Sequence, residues 1–310
     1  DVYITTNITI IAPNGATIAN TSVVSDGTGV SWQNPSAPKL DGFTFTDWDS
    51  AVSTGGPDAR GNWELRNSTI IGGSCAICAA TVEGEWLLDN VTIRDADTPV
   101  SAYDTTGDWK IRNSKFVESG NIFTSESSGN WVINNTTVDT PNDKGISVAS
   151  SSGDWMISET TINDSSSDAI FGESTSGDWT ITDVKISNAT DNGIEVDDST
   201  GDWTIDETFV GDSDDGVELE NTSGDWMISE TTINDSSSDA IFGESTSGDW
   251  TITDVKISNA TDNGIEVDDS TGDWTIDETF VGDSDDGVEL ENTSGDWMIS
   301  ETTINDSSSD

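Results

Sequence analysis

Two acidic turns are the segments of this sequence best suited to bind a metal ion. The segment from Gly211 to Gly216 recurs unchanged from Gly282 to Gly287, and carboxylate oxygens are the ligands that Ca²⁺ prefers. Neither turn has the spacing of a twelve-residue calcium loop or the Gly-Gly-x-Gly-x-Asp pattern of calcium β-rolls. The turns predict either bound Ca²⁺ or other cations, or a solvated acidic surface, and no other cofactor is expected. The candidate ligands are Asp212, Asp214, Asp215, Asp283, Asp285 and Asp286.

Side-chain catalysis would have to use carboxylates or basic groups, because the sequence contains no His. This excludes His-dependent triads and His metal sites. Sixty acidic residues provide carboxylate pairs at every useful separation, so none stands out as a glycosidase pair. The sequence therefore predicts no catalytic residue and no enzymatic activity.

The two cysteines, Cys75 and Cys78, lie three residues apart. In an extended strand such residues face opposite sides, so a disulfide between them needs a bend. The preceding Gly72 and Gly73 and a secreted setting are compatible with a local disulfide. Two small separate thiols are the alternative, whereas a zinc site would need two further ligands.

Thirteen N-x-S/T sequences are candidate N-glycosylation sites. A chain rich in Ser, Thr and Asn produces many of these by chance, so they support a secreted protein only as a group. They are Asn7, Asn20, Asn67, Asn90, Asn134, Asn135, Asn163, Asn188, Asn221, Asn234, Asn259, Asn292 and Asn305.

The charge of the chain limits its partners and its setting. The formal net charge is −50 over 310 residues, so nucleic acid and anionic membranes are poor partners. Abundant Asp and scarce Lys resemble the proteins of extreme halophiles, in which molar salt shortens the screening length to about 3 Å. No apolar run has membrane-spanning length. The start at Asp1, without a basic and hydrophobic leader, predicts a mature secreted protein at the cell surface.

The regular spacing of the tryptophans indicates which repeated elements position the candidate site residues. Eleven tryptophans recur every 22 to 24 residues, which is typical of a solenoid of stacked repeats. Trp155 and Ile157 alternate with variable or polar neighbours, so the tryptophans are expected to point into the core. A column of asparagines four residues after the Trp is expected to form an amide ladder. Its members are Asn67, Asn90, Asn113 and Asn135.

Exact repetition divides the chain. Residues 152–222 recur without change as 223–293, and residues 294–310 begin a third copy, so each 71-residue cassette holds three coils. We expect irregular early coils or a cap over residues 1–60 and a regular solenoid over 61–310. Each coil of about 23–24 residues should contain three short strands separated by Asp, Asn, Ser and Gly turns.

The pattern Trp-x-Ile-x-Asn-x-x-Ile, then Asp-Asn-Gly-Ile-x-Val, then Ser-Thr-Gly-Asp-Trp resembles right-handed parallel β-helix repeat proteins of the pectate-lyase-like class. The resemblance covers about residues 60–310 and suggests a haloarchaeal surface protein. It implies an all-β fold, a single-stranded right-handed parallel β-helix. Many members of this class are polysaccharide lyases or hydrolases, and its lyases pair calcium-binding acids with an Arg or Lys base. The resemblance therefore implies that a lyase site within the coils of residues 63–145 stays open. The candidate basic residues, all of which precede the cassettes, are Arg60, Arg66, Arg94, Lys110, Arg112, Lys115 and Lys144.

The main functional hypothesis is an extracellular structural protein. Exact repetition of the cassettes indicates selection for an elongated protein. The stacked coils would then build a surface filament by head-to-tail assembly with copies of the same chain. One alternative is a surface adhesin or carbohydrate-binding module with cell-surface glycans as partners. A second alternative is a polysaccharide lyase or hydrolase, whose activity on acidic polysaccharides would depend on Arg94 or Arg112.

Overall fold

A computed structural model describes residues 2–3, 9–19, 28–32, 39–46, 48–55, 61–305 and 307, with side chains from residue 39 onward. The chain divides into two compact units, Asp1–Asp154 and Trp155–Asp310, called unit 1 and unit 2. The described residues form strands, turns and bends and no helix. No helix that could span a membrane is found among them.

Unit 1 consists of parallel strands that each pair with the equivalent strand one coil on. Trp63 pairs in register with Trp86, and Trp86 with Trp109. The Trp strand and the next strand of a coil are continuous in β6 and β8 and separate in later coils. The strands are β1 Val2–Tyr3, β2 Thr9–Ala19, β3 Thr28–Trp32, β4 Lys39–Thr46, β5 Ser50–Gly55, β6 Trp63–Ile71, β7 Ile77–Ala80, β8 Trp86–Arg94, β9 Val100–Tyr103, β10 Trp109–Arg112, β11 Lys115–Val117, β12 Ile122–Ser125, β13 Trp131–Asn134, β14 Thr137–Asp139 and β15 Ile146–Ala149.

Unit 2 has three strands in each complete coil, again paired in parallel. Its first strands are β16 Trp155–Ser158, β19 Trp179–Thr182, β22 Trp203–Asp206, β25 Trp226–Ser229, β28 Trp250–Thr253, β31 Trp274–Asp277 and β34 Trp297–Ser300. Its second strands are β17 Thr161–Asn163, β20 Lys185–Ser187, β23 Phe209–Ser213, β26 Thr232–Ser236, β29 Lys256–Ala260, β32 Phe280–Gly282 and β35 Thr303–Asn305. The third strands, called the third sheet, are β18 Ile170–Glu173, β21 Ile194–Asp197, β24 Val217–Glu220, β27 Ile241–Glu244, β30 Ile265–Asp268 and β33 Val288–Glu291.

The predicted parallel β-solenoid with three short strands per coil is confirmed in both units. Strands β4 and β5 pair with β6 and β7, so the described residues just before position 60 already stack as coils. The proposed division into 1–60 and 61–310 stays a prediction.

The tryptophan column fills the core, as the alternation of side chains predicts. Ten of the eleven periodic tryptophans, from Trp63 to Trp274, are 2% exposed or less. Within each unit, neighbouring rings lie 4.2 to 5.6 Å apart between centroids, and most are stacked. Parallel in-register strands impose this stacking, because they bring identical side chains to the strand spacing of about 4.8 Å.

Each regular coil turns at three residues with positive φ. In the coil that begins at Trp179 these are Asp183 (φ 52°), Asn188 (φ 56°) and Asp198 (φ 49°). Asn and Asp tolerate this left-handed conformation better than most residues, which explains their periodic recurrence. The asparagine column lies at such corners, where Asn90 donates to Asn67 Oδ1 at 2.8 Å and Asn135 to Asn113 at 2.8 Å. Asn113 instead donates to Asp89 Oδ1 at 2.9 Å, so the amide ladder is interrupted.

Aspartates that precede the tryptophans form a ladder that offsets part of the stacked negative charge. In unit 2, the carboxylate of each such Asp accepts a hydrogen bond from the backbone N–H of the equivalent Asp one coil later. For example, Asp225 N–H donates to Asp202 Oδ1 at 2.9 Å and Asp249 N–H to Asp225 Oδ1 at 3.1 Å. Charge-assisted bonds of this kind are among the stronger hydrogen bonds in proteins. The invariant Gly-Asp-Trp sequence therefore connects consecutive coils.

Candidate active site

Two glutamates and two phenylalanines form a continuous strip on the outer face of the third sheet of unit 2. Phe171, Glu195, Glu218 and Phe242 occupy the same register position in four successive strands. Their neighbours on each strand alternate with them and point into the core, so these four side chains are half-buried on the outer face. We call this set the Phe-Glu-Glu-Phe strip.

The register places Glu195 and Glu218 side by side on adjacent strands of the third sheet. The Cα atoms of such residues lie about 4.8 Å apart, so rotation of the side chains can bring the carboxyl groups to the separations that glycosidases use. Retaining glycosidases hold their two carboxyl groups about 5 to 5.5 Å apart, whereas inverting enzymes need roughly 6.5 to 9.5 Å. An aromatic ring on each side of Glu195 and Glu218 supplies an apolar surface of the kind on which sugar rings pack.

Glu218 has a strongly raised proton affinity. Burial, together with repulsion from the negative charges of Asp215, Glu195 and Glu220, raises the pKa of Glu218 to about 8. The side-chain amide of Asn192 donates a hydrogen bond to Glu218 Oε2. A carboxyl group with this pKa is mostly protonated at neutral pH, which is the state a general acid requires.

A buried polar column runs behind the strip and explains the environment of Glu218. Asp215 N–H donates to Asn192 Oδ1 at 3.0 Å, and Asp239 N–H donates to Asp215 Oδ1 at 2.7 Å. Burial raises the pKa of Asp239 to about 7, with repulsion from Glu266 and Asp215 adding to the effect. Burial raises the pKa of Asp215 as well. Ionised carboxylates in this column oppose a further negative charge on Glu218.

The next cassette repeats this register. Glu266 and Glu289 follow Phe242 in the third sheet. The amide of Asn263 donates to both, at 2.6 Å to Glu266 and 2.9 Å to Glu289. Glu289 lies in β33, the last described strand of the third sheet, and is exposed, whereas Glu218 is half-buried. Glu289 therefore serves as an exposed comparison for Glu218.

Sequence reasoning missed this pair because many acidic residues offer equivalent spacings. The usable signal is the column that appears once the coils are aligned, in which Phe, Glu and Glu share one outward position. The burial that changes the proton affinity of Glu218 depends on side chains of neighbouring coils.

The structure separates the carboxylates of the predicted metal-binding turns. Asp212 and Asp283 are exposed corner residues with φ of 56° and 55°. Asp214 and Asp285 are also exposed, whereas Asp215 is buried and accepts a backbone hydrogen bond. Asp286 is half-buried.

Among the described residues, the three carboxylates that lie close enough together to share a cation belong to Glu244, Asp268 and Asp269 instead. Sequence reasoning did not single out this group. Binding of Ca²⁺ to the predicted turns stays a prediction.

Cys75 and Cys78 are joined in a disulfide with an S–S distance of 2.09 Å and a Cα–Cα distance of 5.9 Å. The bond closes a short bend before β7, and the Cys75 N–H donates to the carbonyl of Asp49 at 2.9 Å. The bend supplies the departure from an extended strand that a bridge over this spacing needs.

The sequon asparagines that the structure describes are all exposed or half-buried. Asn7 and Asn20 lie outside the described residues. The accessible positions suit glycan attachment, which stays a prediction.

The basic residues proposed for a lyase are partly engaged in ion pairs within unit 1. Arg66 Nη1 and Arg112 Nη2 contact the same oxygen, Asp89 Oδ2, at 2.7 and 2.9 Å. Partial burial opposes ionisation of Asp89, but hydrogen bonds from Asn113 and Arg112 lower its pKa overall. Arg94 and Lys110 are exposed, and Arg60 lies outside the described residues.

Comparison with solved structures identifies proteins that share this fold. The periplasmic alginate epimerase AlgG, as its D317A mutant, matches with a TM-score of 0.66 at 9% identity, over 96% of this chain and 78% of the epimerase chain. The A-module of the Azotobacter vinelandii mannuronan C-5 epimerase AlgE6 matches with a TM-score of 0.53 at 13% identity, over 96% of this chain and 91% of the module. These neighbours are right-handed parallel β-helix proteins of the pectate-lyase-like type, so the resemblance seen in the sequence is confirmed. No protein-family model matches the chain, and a comparison with curated proteins finds no match.

Two predictions from the sequence are contradicted by this similarity. The chain was expected to be a structural filament protein without enzymatic activity, but these solved structures are carbohydrate-active enzymes. The expectation failed because it took the exact repetition of side chains as evidence against enzymatic activity, although stacked coils also build the enzymes that share this fold. At 9–13% identity the likeness itself extends to the fold and no further.

Proposed function

We propose that this protein is a carbohydrate-active enzyme that hydrolyses glycosidic bonds at the Phe-Glu-Glu-Phe strip. The observation that carries the proposal is the adjacent pair of Glu195 and Glu218, in which Glu218 has its pKa raised to about 8. Fold similarity to polysaccharide-modifying epimerases supports a carbohydrate substrate. This develops the polysaccharide hydrolase alternative that the sequence left open.

The two carboxyl groups would divide the reaction between them. Protonated Glu218 donates its proton to the glycosidic oxygen while Glu195 attacks the anomeric carbon, which breaks the C–O bond and forms a glycosyl ester on Glu195. Ionised Glu218 then takes a proton from water as the water oxygen attacks that carbon and releases Glu195. Phe171 and Phe242 would hold the sugar rings on either side of the scissile bond.

The charge of unit 2 points to a substrate without anionic groups. Unit 2 contains Lys185 and Lys256 as its only basic residues, against roughly forty carboxylates. A polyuronate, such as the mannuronan named for the AlgE6 module, would be repelled from the strip. We therefore propose a neutral polysaccharide as the substrate.

The test is hydrolysis of a panel of polysaccharides in high salt. We expect reducing ends to appear from a neutral glucan and not from alginate or polygalacturonate. Glu218→Gln should lower kcat by about 10² to 10⁴-fold, whereas the matched substitution Glu289→Gln should leave the rate unchanged. Cleavage of alginate alone, or equal loss in the two variants, would refute this assignment. Unsaturated products that depend on Arg112 would instead favour a lyase in unit 1.

Several further expectations are retained as proposals. We propose an extracellular location, adaptation to high salt, and cations near the acidic turns. The exposed sequon asparagines and the net charge of −50 support these proposals. Measurements of the native protein would test them by glycan mass, by stability against salt concentration and by bound calcium.

A further inference from the structure

A second region of unit 2 has the character of a ligand-binding cleft. It lies at the corner between the first and second strands, away from the third sheet, and encloses about 330 Å³. Three exposed carboxylates form one wall, with one residue from each of three successive coils. They are Glu159, Asp183 and Glu207, with φ of 48°, 52° and 46°.

The opposite wall combines an aromatic ring with the one ammonium group of the cassette. Thr161, Lys185 and Phe209 occupy one register position in β17, β20 and β23. Lys185 Nζ lies 5.9 Å from the centroid of the Phe209 ring. It forms no ion pair with a carboxylate in the part of the chain that the structure describes. Its N–H groups therefore stay available to a ligand.

This combination of groups matches a sugar ring. Phe209 provides an apolar face for the C–H groups of a pyranose. The Lys185 ammonium can donate to hydroxyl oxygens, while the carboxylates accept from hydroxyl hydrogens. With three carboxylates and one ammonium, the cleft disfavours carboxylated or sulfated sugars.

The cassette repeat builds the same arrangement a second time. Thr232, Lys256 and Phe280 are aligned in β26, β29 and β32. The corner residues Glu230, Asp254 and Glu278 have φ of 44°, 54° and 48°. Three coils separate the copies, which places them about 14 Å apart at about 4.8 Å per coil. A polysaccharide chain that runs along the coils can reach both.

We propose that the cleft around Lys185 and Phe209 and its copy around Lys256 and Phe280 are two equivalent binding sites for a polysaccharide without anionic groups. The two sites act together on one chain, so polymer binds more tightly than a short oligosaccharide. This inference concerns binding only and is independent of hydrolysis at Glu218.

Binding stoichiometry tests the proposal. Every protein in this experiment, the parent included, carries Glu218→Gln, so that the ligand is not hydrolysed during the titration. A neutral gluco-trisaccharide and a soluble neutral glucan are titrated by calorimetry into Phe209→Ala, Phe280→Ala and the double variant, with alginate as the anionic comparison. The control is Met156→Ala with Met227→Ala, which removes exposed apolar side chains of the first strands, 47% and 42% exposed.

Because the Phe-Glu-Glu-Phe strip can also hold a trisaccharide, we expect one site fewer than in the parent for each single variant and two sites fewer for the double variant. Affinity for the glucan should fall about tenfold in each single variant and about 100-fold in the double variant, because avidity is lost. Alginate should not bind, and the control should match the parent. A double variant with as many sites as the parent, equal loss in the control or preference for alginate would each overturn the proposal. Far-UV circular dichroism verifies that each variant is folded.

Discussion

Replacing Glu218 by Gln should make the stability of the protein less sensitive to alkaline pH. The carboxyl group has a pKa of about 8 in the folded state because burial raises it, compared with an ordinary value of 4.5. Folded protein therefore keeps a proton that unfolded protein releases near pH 4.5. The stability linked to this proton is fully present below pH 4.5 and is lost as pH rises through 8.

The size of the effect follows from the difference between the two pKa values. Each unit corresponds to 1.36 kcal/mol, so three to four units set an upper bound of about 5 kcal/mol. Glu218 is only half-buried, and high salt screens its neighbours. We therefore expect about 2 kcal/mol to be lost between pH 5 and pH 9 on account of this residue.

The assay is urea unfolding, followed by tryptophan fluorescence at constant ionic strength and at several pH values. The parent should lose about 2 kcal/mol more of its unfolding free energy than Glu218→Gln over this range. Glu289→Gln is the control, because it removes an equivalent but exposed carboxylate and should retain the pH sensitivity of the parent. Parallel pH profiles for the parent and Glu218→Gln would show that burial does not govern this carboxyl group.

Three further outcomes follow from the geometry. Hydrolysis should give a product of retained anomeric configuration in proton NMR, because Glu195 and Glu218 are adjacent in register; an inverted product would exclude the nucleophile role. Trp203→Ala should lower the unfolding free energy by about 3 to 5 kcal/mol, since the ring is 1% exposed and stacked on both sides; a loss below about 1 kcal/mol in urea unfolding would contradict this. Asp225→Ala should cost about 0.5 to 1 kcal/mol, because the exposed N–H of Asp249 exchanges its carboxylate acceptor for water. Asp225→Asn should cost less because an amide oxygen still accepts, and the reverse order in urea unfolding would show that the ladder does not stabilise the fold.

The core was predictable because it depends on patterns that a single chain displays. The alternation of Trp203 and Ile205 with polar neighbours identifies the inward face. The fixed period predicts that equivalent residues pair between coils. Periodic Asn and Asp also mark the corners, although Glu159 and Glu207 occupy left-handed positions that such patterns do not predict for Glu.

The candidate site was not predictable because it depends on the surroundings of each residue. The pKa of Glu218 is raised by burial and by repulsion from Asp215 and Glu195. Glu195 belongs to the preceding coil, so this effect depends on how neighbouring coils pack. A list of residue types cannot express that packing. The same holds for the predicted metal turns, where Asp215 is buried and Asp214 is exposed.

The aspartate ladder also bears on how such a chain changes length over generations. In each Gly-Asp-Trp turn, the Asp carboxylate accepts a hydrogen bond from the next coil, and the Asp N–H donates one to the preceding coil. Residues 223–293 are identical to 152–222. When unequal recombination removes or adds one cassette, the coils that become neighbours therefore carry matching hydrogen-bond donors and acceptors. The ladder thereby makes whole cassettes interchangeable, and selection can vary their number without a new interface having to evolve.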